Sequence, residues 1–421
     1  MRGEEDKMMQ TLVVRERAIR ALMGALVLLF CATATGWSQT LTWLGTLPNG
    51  GRSEAYGVSA DGRVVVGKAS TALGWGHEWR AFRWTADGGM QNLGTLGGRW
   101  SEAWGVSADG RVVVGSATNA AGQERAFRWT AGEGMVDLGT LTGGSRSWAY
   151  GVSADGSVIV GVSTNAGGYE RAVRWTPLGI QNLGTADGSS SQAYGVSSDG
   201  SIVVGRTGGL AFRWTRSSGM QTLPLPDGYN ESVAYGISAN GSVIVGSVTR
   251  PPGPRGGMPS PEACVWINGV PEILGRGGEV YSVSGDGSVM VGMVIDSQGK
   301  KYACRWTASG GLEILNQTYA RLMGPDSRLD EARAISPDGR FIVGWGFNEN
   351  TWRTEAFLLD TRCIPHNGDI DRNGCVDDRD LLTVLFEFGE TGYFNGVDTN
   401  CDGIIDDADL LEVLFNFGSG C

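Results

Sequence analysis

An all-β fold with a small α module at its C-terminus is what this sequence predicts, and three observations carry the expectation. The phrase from Gly105 to Gly115, Gly-Val-Ser-Ala-Asp-Gly-Arg-Val-Val-Val-Gly, recurs in seven versions. Sixty-eight glycines and fifteen tryptophans in 421 residues, with few long helical patterns, point to short strands joined by many turns. From Cys363 onward the phrase stops, and an acidic segment with its own two-fold repeat takes over.

Residues 1–34 read as a secretory signal peptide. Arg15, Arg17 and Arg20 precede the apolar run from Ala21 to Phe30, and Ala32-Thr33-Ala34 offers a small-x-small cleavage site. The run is too short to span a bilayer comfortably, so no transmembrane span is expected after cleavage. Cys31 raises the option of a lipoprotein anchor, but Phe30 stands before it where a small residue is wanted. The acidic opening leaves Met8 or Met9 as alternative starts. Export would place the protein outside the cell or at its surface.

The repeated phrases begin at Val58, Val106, Val152, Val196, Ile237, Val283 and Ile335, in steps of 48, 46, 44, 41, 46 and 52 residues. That range overlaps the period of four-stranded propeller blades. Each phrase reads as a hairpin whose Asp-Gly or Asn-Gly pair, Asp109-Gly110 for example, supplies two positions that tolerate positive φ. An aromatic strand follows each hairpin, as in Ala126-Phe127-Arg128-Trp129-Thr130, where alternation sets Phe127 and Trp129 on one face and Ala126, Arg128 and Thr130 on the other. A fourth phrase resembling Gly-Met-x-x-Leu-Gly follows six of these strands. Its seventh version, Trp43-Leu44-Gly45, sits ahead of the first hairpin.

That displacement implies a ring. The last repeat has three strands and the N-terminus has a spare one, so joining them completes a seven-bladed β-propeller over residues 41–362 and leaves no open sheet edge. An open β-solenoid is the alternative, but it has no use for the displaced strand. Two longer connections, Arg250 to Gly257 and Tyr319 to Glu331, stand as binding-face loops or as tolerated surface insertions.

The combination of Tyr-Gly-Val-Ser-x-Asp-Gly with Ala-Phe-Arg-Trp-Thr resembles the extracellular HAF repeat family of secreted and surface proteins. In that family the aromatic strand opens with His-Ala-Phe. Arg80, Arg125, Arg171, Leu210, Glu262, Tyr302 and Glu355 occupy the His position here. The resemblance implies a secreted or surface location and no particular activity.

In the C-terminal module, residues 363–421, Asp369, Asp371, Asn373, Asp377 and Asp380 fall at positions 1, 3, 5, 9 and 12 of a loop with Gly374 at position 6. The pattern returns 29 residues later as Asp398, Asn400, Asp402, Asp406 and Asp409, with Gly403. Hard oxygen ligands at this spacing suit Ca²⁺, with the backbone carbonyls of Cys375 and Ile404 completing each site. Two ions are therefore expected. An acidic turn without metal is the alternative, but carboxylates crowded this closely call for a cation. Val376 and Ile405, at position 8, are expected to tie the two loops by a short strand pairing. Each loop opens a helix, Leu381 to Phe388 or Leu410 to Phe417, ended by Gly389 or Gly418.

This duplicated loop-then-helix form, with Asp at position 12, resembles a type I dockerin. The resemblance implies calcium-dependent docking to a protein partner. Positions 10 and 11, which in dockerins help to choose a cohesin, are Asp378-Arg379 and Asp407-Ala408. The expected partner is an envelope or extracellular protein, with no cohesin designated. Export permits disulfides, and four cysteines in the module allow three pairings. Cys363–Cys421 and Cys375–Cys401 are the pairs expected. Cys264 and Cys304, at equivalent strand positions, read as replacements for core Phe.

Charge and histidine content narrow the function. The module carries a net charge of −11, equal to that of the whole chain, so the rest is balanced and offers no basic face for nucleic acid. His77 and His366 are the only histidines, which leaves little for a His-dependent triad. Glu54 with Glu102, and Glu124 with Glu170, recur in register and read as repeat grammar. The same holds for Arg83, Arg128, Arg174, Arg213 and Arg305, for which an anion-binding ring is the sharper alternative. The expected function is a secreted or surface-attached, non-catalytic propeller with a calcium-dependent docking module. The alternative is a glycan-active hydrolase or a lectin, for which a carboxylate pair in a loop-lined pocket would be the mark.

Overall fold

The computed structural model describes residues 39–71, 78–252, 260–275, 277–308, 310–362, 367–370, 373–389, 397–399 and 405–421. The segment expected to be a signal peptide lies outside these, as do residues 253–257 of the first long connection. Two compact units emerge, Thr40–Thr361 and a second that includes Arg362–Cys421. No helix among the described residues is long and apolar enough to cross a membrane.

The larger unit is a seven-bladed β-propeller, all-β as expected, with seven four-stranded antiparallel sheets among the described residues. After β1 (Thr40–Trp43), the first blade is built in chain order from β2 (Ser53–Val58), β3 (Val65–Ser70), β4 (Trp79–Thr85) and β5 (Gly89–Asn92). Five further sheets repeat this plan. The last takes three strands from Arg328–Ile335, Phe341–Asn348 and Arg353–Asp360, and its fourth is β1. Thr40 faces Asp360 and Trp43 faces Phe357 across that ladder.

The cores lie between blades. Val66, Ala81 and Leu93 of the first blade meet Ala103, Val113, Phe127 and Trp129 of the second, whereas Ala126 and Val114 face the third. The Ala-Phe-Arg-Trp alternation therefore gives each blade one small face and one large face, and the large face of a blade fills against the small face of the blade before it. Phe82, Phe127, Phe212 and Phe357 are completely buried. Each contributes roughly 1.5–3 kcal/mol by leaving water. Cys264 and Cys304 hold the Phe position of their blades, buried and opposite Gly246 and Gly292. Burial raises both thiols, Cys264 to about 12, so they act as small apolar side chains.

Serines at the start of the inner strands join the blades. The Ser101 hydroxyl accepts the Ala81 N–H of the preceding blade at 2.9 Å and donates to the Gly94 carbonyl at 2.5 Å. Ser147 and Ser191 repeat the relay, and Ser53 repeats it across the closure, accepting from Ala356.

The repeated turn differs from the expected two-residue hairpin. Residues 107–112 connect the strands, and Gly110 has a positive φ of 71° while Asp109 does not. Asp109 works through its side chain: Oδ1 accepts the Ser107 hydroxyl at 2.6 Å and the Arg111 N–H at 3.0 Å, and Ser107 in turn accepts the Val112 N–H. This is an Asx turn clasped by a serine. The segment from Tyr319 to Glu331 is not a free insertion either. Tyr319 and Leu329 are buried in the core of the last blade, beyond α1 (Leu315–Thr318).

In the second unit, α2 (Asp378–Glu387) and α3 (Asp407–Asn416) each open on a capping box, Asp377 with Asp380 and Asp406 with Asp409. Val376, Val384, Val397, Ile405 and Val413 form the core. The expected pairing of Val376 with Ile405 is replaced by a crossed arrangement. Val376 bonds to Gly418 and Ser419 beyond α3, and the Ile405 carbonyl accepts Gly389 N–H beyond α2. Each loop is thereby tied to the tail of the other helix. The same packing overturns both expected disulfides. Cys375 pairs with Cys421, because the chain end lies against the first loop where Val376 meets Ser419.

Candidate functional site

Every inner strand of the propeller carries a register shift at the same place, between Ala55 and Gly57 in β2, for instance. The residue left over is the one before the Gly of the repeat. A bulge re-aims its side chain, and here the bulged positions form one belt on the ring axis. Tyr56 stacks on Trp104 at 4.4 Å, and Tyr150, Tyr194, Tyr235 and Tyr281 continue the belt at centroid spacings of 5.4 to 5.7 Å. The strand opposite the bulge needs glycine. A Cβ on Gly67 would meet the Glu54 carbonyl at 1.9 Å, and Gly115 has the same relation to Glu102 at 2.0 Å.

The seventh position is Arg333. Its guanidinium lies 3.9 Å from the Tyr281 ring centroid, 4.8 Å from that of Trp345 and 6.0 Å from that of Tyr56, so a cation completes the aromatic belt. Glu331 pairs with it at 2.9 Å. Burial works to lower its pKa, but Tyr281, Glu331 and Tyr56 outweigh burial and hold the group protonated. Burial pushes the tyrosine hydroxyls up, Tyr194 to about 12.

Two residues before the belt, Glu279, Glu331, Glu54 and Glu102 stand on consecutive blades. Lys68 bridges Glu54 at 3.6 Å and Glu102 at 3.3 Å, and Lys301 holds Glu331 at 2.7 Å. The hydroxyls of Tyr281 and Tyr235 donate to Glu279. Burial raises the Glu102 pKa against the pull of Lys68. These carboxylates join neighbouring blades. The arginines of the aromatic strands do not converge: Arg128 bonds to Glu133, Arg174 to Gln181 and Arg305 to Glu313, each within its own blade.

A cavity of about 280 Å³ lies on the axis between the belt and the repeated turns, lined by Tyr56, Trp104, Arg333 and the residue before each turn Asp or Asn. Those residues bond in a ring. Ala60 N–H donates to Ala108, Ala108 to Ala154, Ala154 to Ser198, Ser198 to Ala239, Ala239 to Gly285 and Gly285 to Pro337, at 2.8 to 3.4 Å. Proline has no N–H, so the link from Pro337 to Ala60 cannot form.

In the second unit, Asp369 Oδ2 accepts Gly374 N–H at 3.0 Å while its buried Oδ1 has no hydrogen-bond partner among the described residues. Asn373 Oδ1 accepts Cys375 N–H, and Asp377 accepts Arg379 N–H. Asp380 accepts from the backbone N–H groups of Ile370 and Asp377, and Asp409 from those of Thr399 and Asp406 and from the Thr399 hydroxyl. Asp398 is also buried. Asp371, Asn400, Asp402 and Ile404 lie outside the described residues. No group of three or more His, Cys, Asp or Glu among the described residues closes around a metal position. The donors present are hard oxygens, and the partnerless Asp369 oxygen is one that a cation would satisfy. On these grounds the residues fit calcium.

No protein-family model matches the chain, and no curated protein matches it. Among solved structures, TolB from Acinetobacter baumannii is similar at 16% identity and a TM-score of 0.40, over 72% of this chain and 81% of that one.

Proposed function

We propose that this chain is an exported, non-catalytic binding propeller of the HAF-repeat kind, which a dockerin-like module attaches to a protein at the cell surface or outside the cell. The observation that carries the docking half is a duplicated apolar face. Leu382, Leu385, Phe386 and Phe388 are exposed, and so are Leu411, Leu414, Phe415 and Phe417 at the same places of the second repeat, with Phe386 and Phe415 84% and 82% exposed. Large apolar side chains left in water at matched positions mark an interaction surface. Calcium would be held by Asp369, Asp371, Asn373, Asp377 and Asp380 with the Cys375 carbonyl, and by Asp398, Asn400, Asp402, Asp406 and Asp409 with the Ile404 carbonyl. When bound, calcium would supply the positive charge that offsets the crowded loop carboxylates. Asp380 and Asp409 cap the helices that carry the apolar face, so loop closure and presentation of that face are coupled.

Binding is favoured over hydrolysis because the axial carboxylates are committed to Lys68, Lys301, Arg333 and tyrosine hydroxyls. A general acid and base need to be free to exchange protons with substrate. The test is capture of envelope proteins on immobilised full-length protein, with calcium or with chelator. Retention in calcium alone is expected, and it should disappear in Phe386→Ser with Phe415→Ser, which are exposed changes that leave the core intact. Equal retention by that variant contradicts the docking assignment.

A further inference from the structure

The chain end is built into the first acidic loop, and three consecutive residues of that loop meet it. Cys375 is joined to Cys421 by the disulfide. Val376 N–H donates to the Ser419 carbonyl at 3.0 Å, and Gly418 N–H donates to the Val376 carbonyl at 2.8 Å. Gly420, at a φ of 80°, lies so close that a Cβ on it would collide with the Gly374 carbonyl. Chain ends usually fray unless they are tied down. This one is also anchored on its other side, because Ser419 N–H donates to the Asn416 carbonyl at the end of α3 at 2.9 Å.

The loop grips the same residues from within. Asp369 Oδ2 accepts Gly374 N–H at 3.0 Å, and Asn373 Oδ1 accepts Cys375 N–H at 2.8 Å. Residues 374–376 are thus fixed from both sides. Cys375 is position 7 of the loop, the place where a calcium loop of this kind uses a backbone carbonyl. Ile404 is position 7 of the second loop and has no thiol to be cross-linked. At the side-chain ligand positions each loop offers four Asp and one Asn, so ligand charge does not distinguish the two. What distinguishes the first is a covalent tie at a ligand residue.

We propose that residues 418–421 position the first calcium site, holding the Cys375 carbonyl in place before the ion arrives. The inference rests on the calcium reading above. Ordering a loop backbone opposes binding, and a cross-link that orders it beforehand removes part of that cost. The buried Asp369 Oδ1, without a hydrogen-bond partner among the described residues, belongs to the same loop at position 1. A buried acceptor left unsatisfied is costly, and a backbone fixed at residues 374–376 keeps the loop from relaxing around it. The affinity of the first site should therefore depend on the tail, and that of the second should not.

The experiment is isothermal titration of the full-length protein with calcium chloride. Asp398→Ala isolates the first site, and Asp369→Ala isolates the second. In the Asp398→Ala background, Cys375→Ser with Cys421→Ser removes the cross-link, keeps the position-7 carbonyl, and should weaken calcium binding about tenfold. In the Asp369→Ala background the same pair should change it by less than about twofold. Gly420→Ala keeps the cross-link but pushes the tail off Gly374, and should weaken the first site alone by about threefold. Selective weakening of the first site in either variant is the expected result. Absence of selectivity in both variants, whether neither site changes or both weaken alike, would overturn the proposal. A parent protein that binds no calcium would instead overturn the calcium reading itself.

Discussion

Asp109 shows how a residue prominent in the sequence can be structural. Its carboxylate accepts a hydroxyl and a backbone N–H, and the Ser107 hydroxyl with the Arg111 N–H holds its pKa below the usual range. Asp61, Asp155, Asp199 and Asp286 are shifted the same way. A depressed folded-state pKa adds stability above the unfolded carboxylate pKa, and that stability is lost as pH falls through the folded value. Asn240 makes the same two contacts without a charge, through Ser238 and Ser242. Asp109→Asn should therefore stay within about 0.5 kcal/mol of the parent at pH 7 and lose less stability between pH 7 and pH 3. Urea denaturation at both pH values checks this. An acid loss as steep as the parent's would show that the turn carboxylate is not linked to folding.

At the scale of elements, the sequence made strands and turns legible because their chemistry is local. The Val-Val-Val runs, the Asp-Gly pairs and the Ala-Phe-Arg-Trp alternation each announce a backbone state or a buried face. What local chemistry does not announce is where a side chain points once a strand bulges. Tyr56 and its counterparts were visible as part of the phrase, yet only the register shift opposite Gly67 turns them onto the axis. Arg333 was the available signal, one cation in a column of aromatics. The disulfide was illegible for a similar reason. Pairing Cys375 with Cys421 requires the chain end to lie against the first loop, which depends on the crossed bonding of Val376 and not on cysteine spacing. The strand β1 carries a prediction of its own. Leu41 and Trp43 pack on the core of the last blade, Trp43 edge-on to Phe357 at 6.3 Å. Replacing both by Ser should cost about 2–5 kcal/mol in urea denaturation and expose the edge of Arg353–Asp360 to aggregation. Unchanged stability would mean that β1 does not hold the ring shut.

For the whole molecule, the sequence divides its tasks between two kinds of repetition. Seven copies build a ring whose repeated residues are spent on turns, blade contacts and the belt, and the seventh copy deviates at Arg333 and Pro337. Two copies in the acidic module keep their carboxylates and their exposed apolar side chains in register, which is what a metal-organised docking surface requires. The oxygen-donor spacing of the two loops was legible in the sequence, whereas the apolar face depends on Val384 and Val413 turning inward and Phe386 and Phe415 outward. Native mass spectrometry of the full-length protein after calcium loading tests this account most directly. It predicts two bound Ca²⁺ ions, both lost in Asp369→Ala with Asp398→Ala, together with a chelator-sensitive melting transition that the double variant lacks. A protein that binds no calcium, or a double variant that melts like the parent with and without chelator, would contradict it.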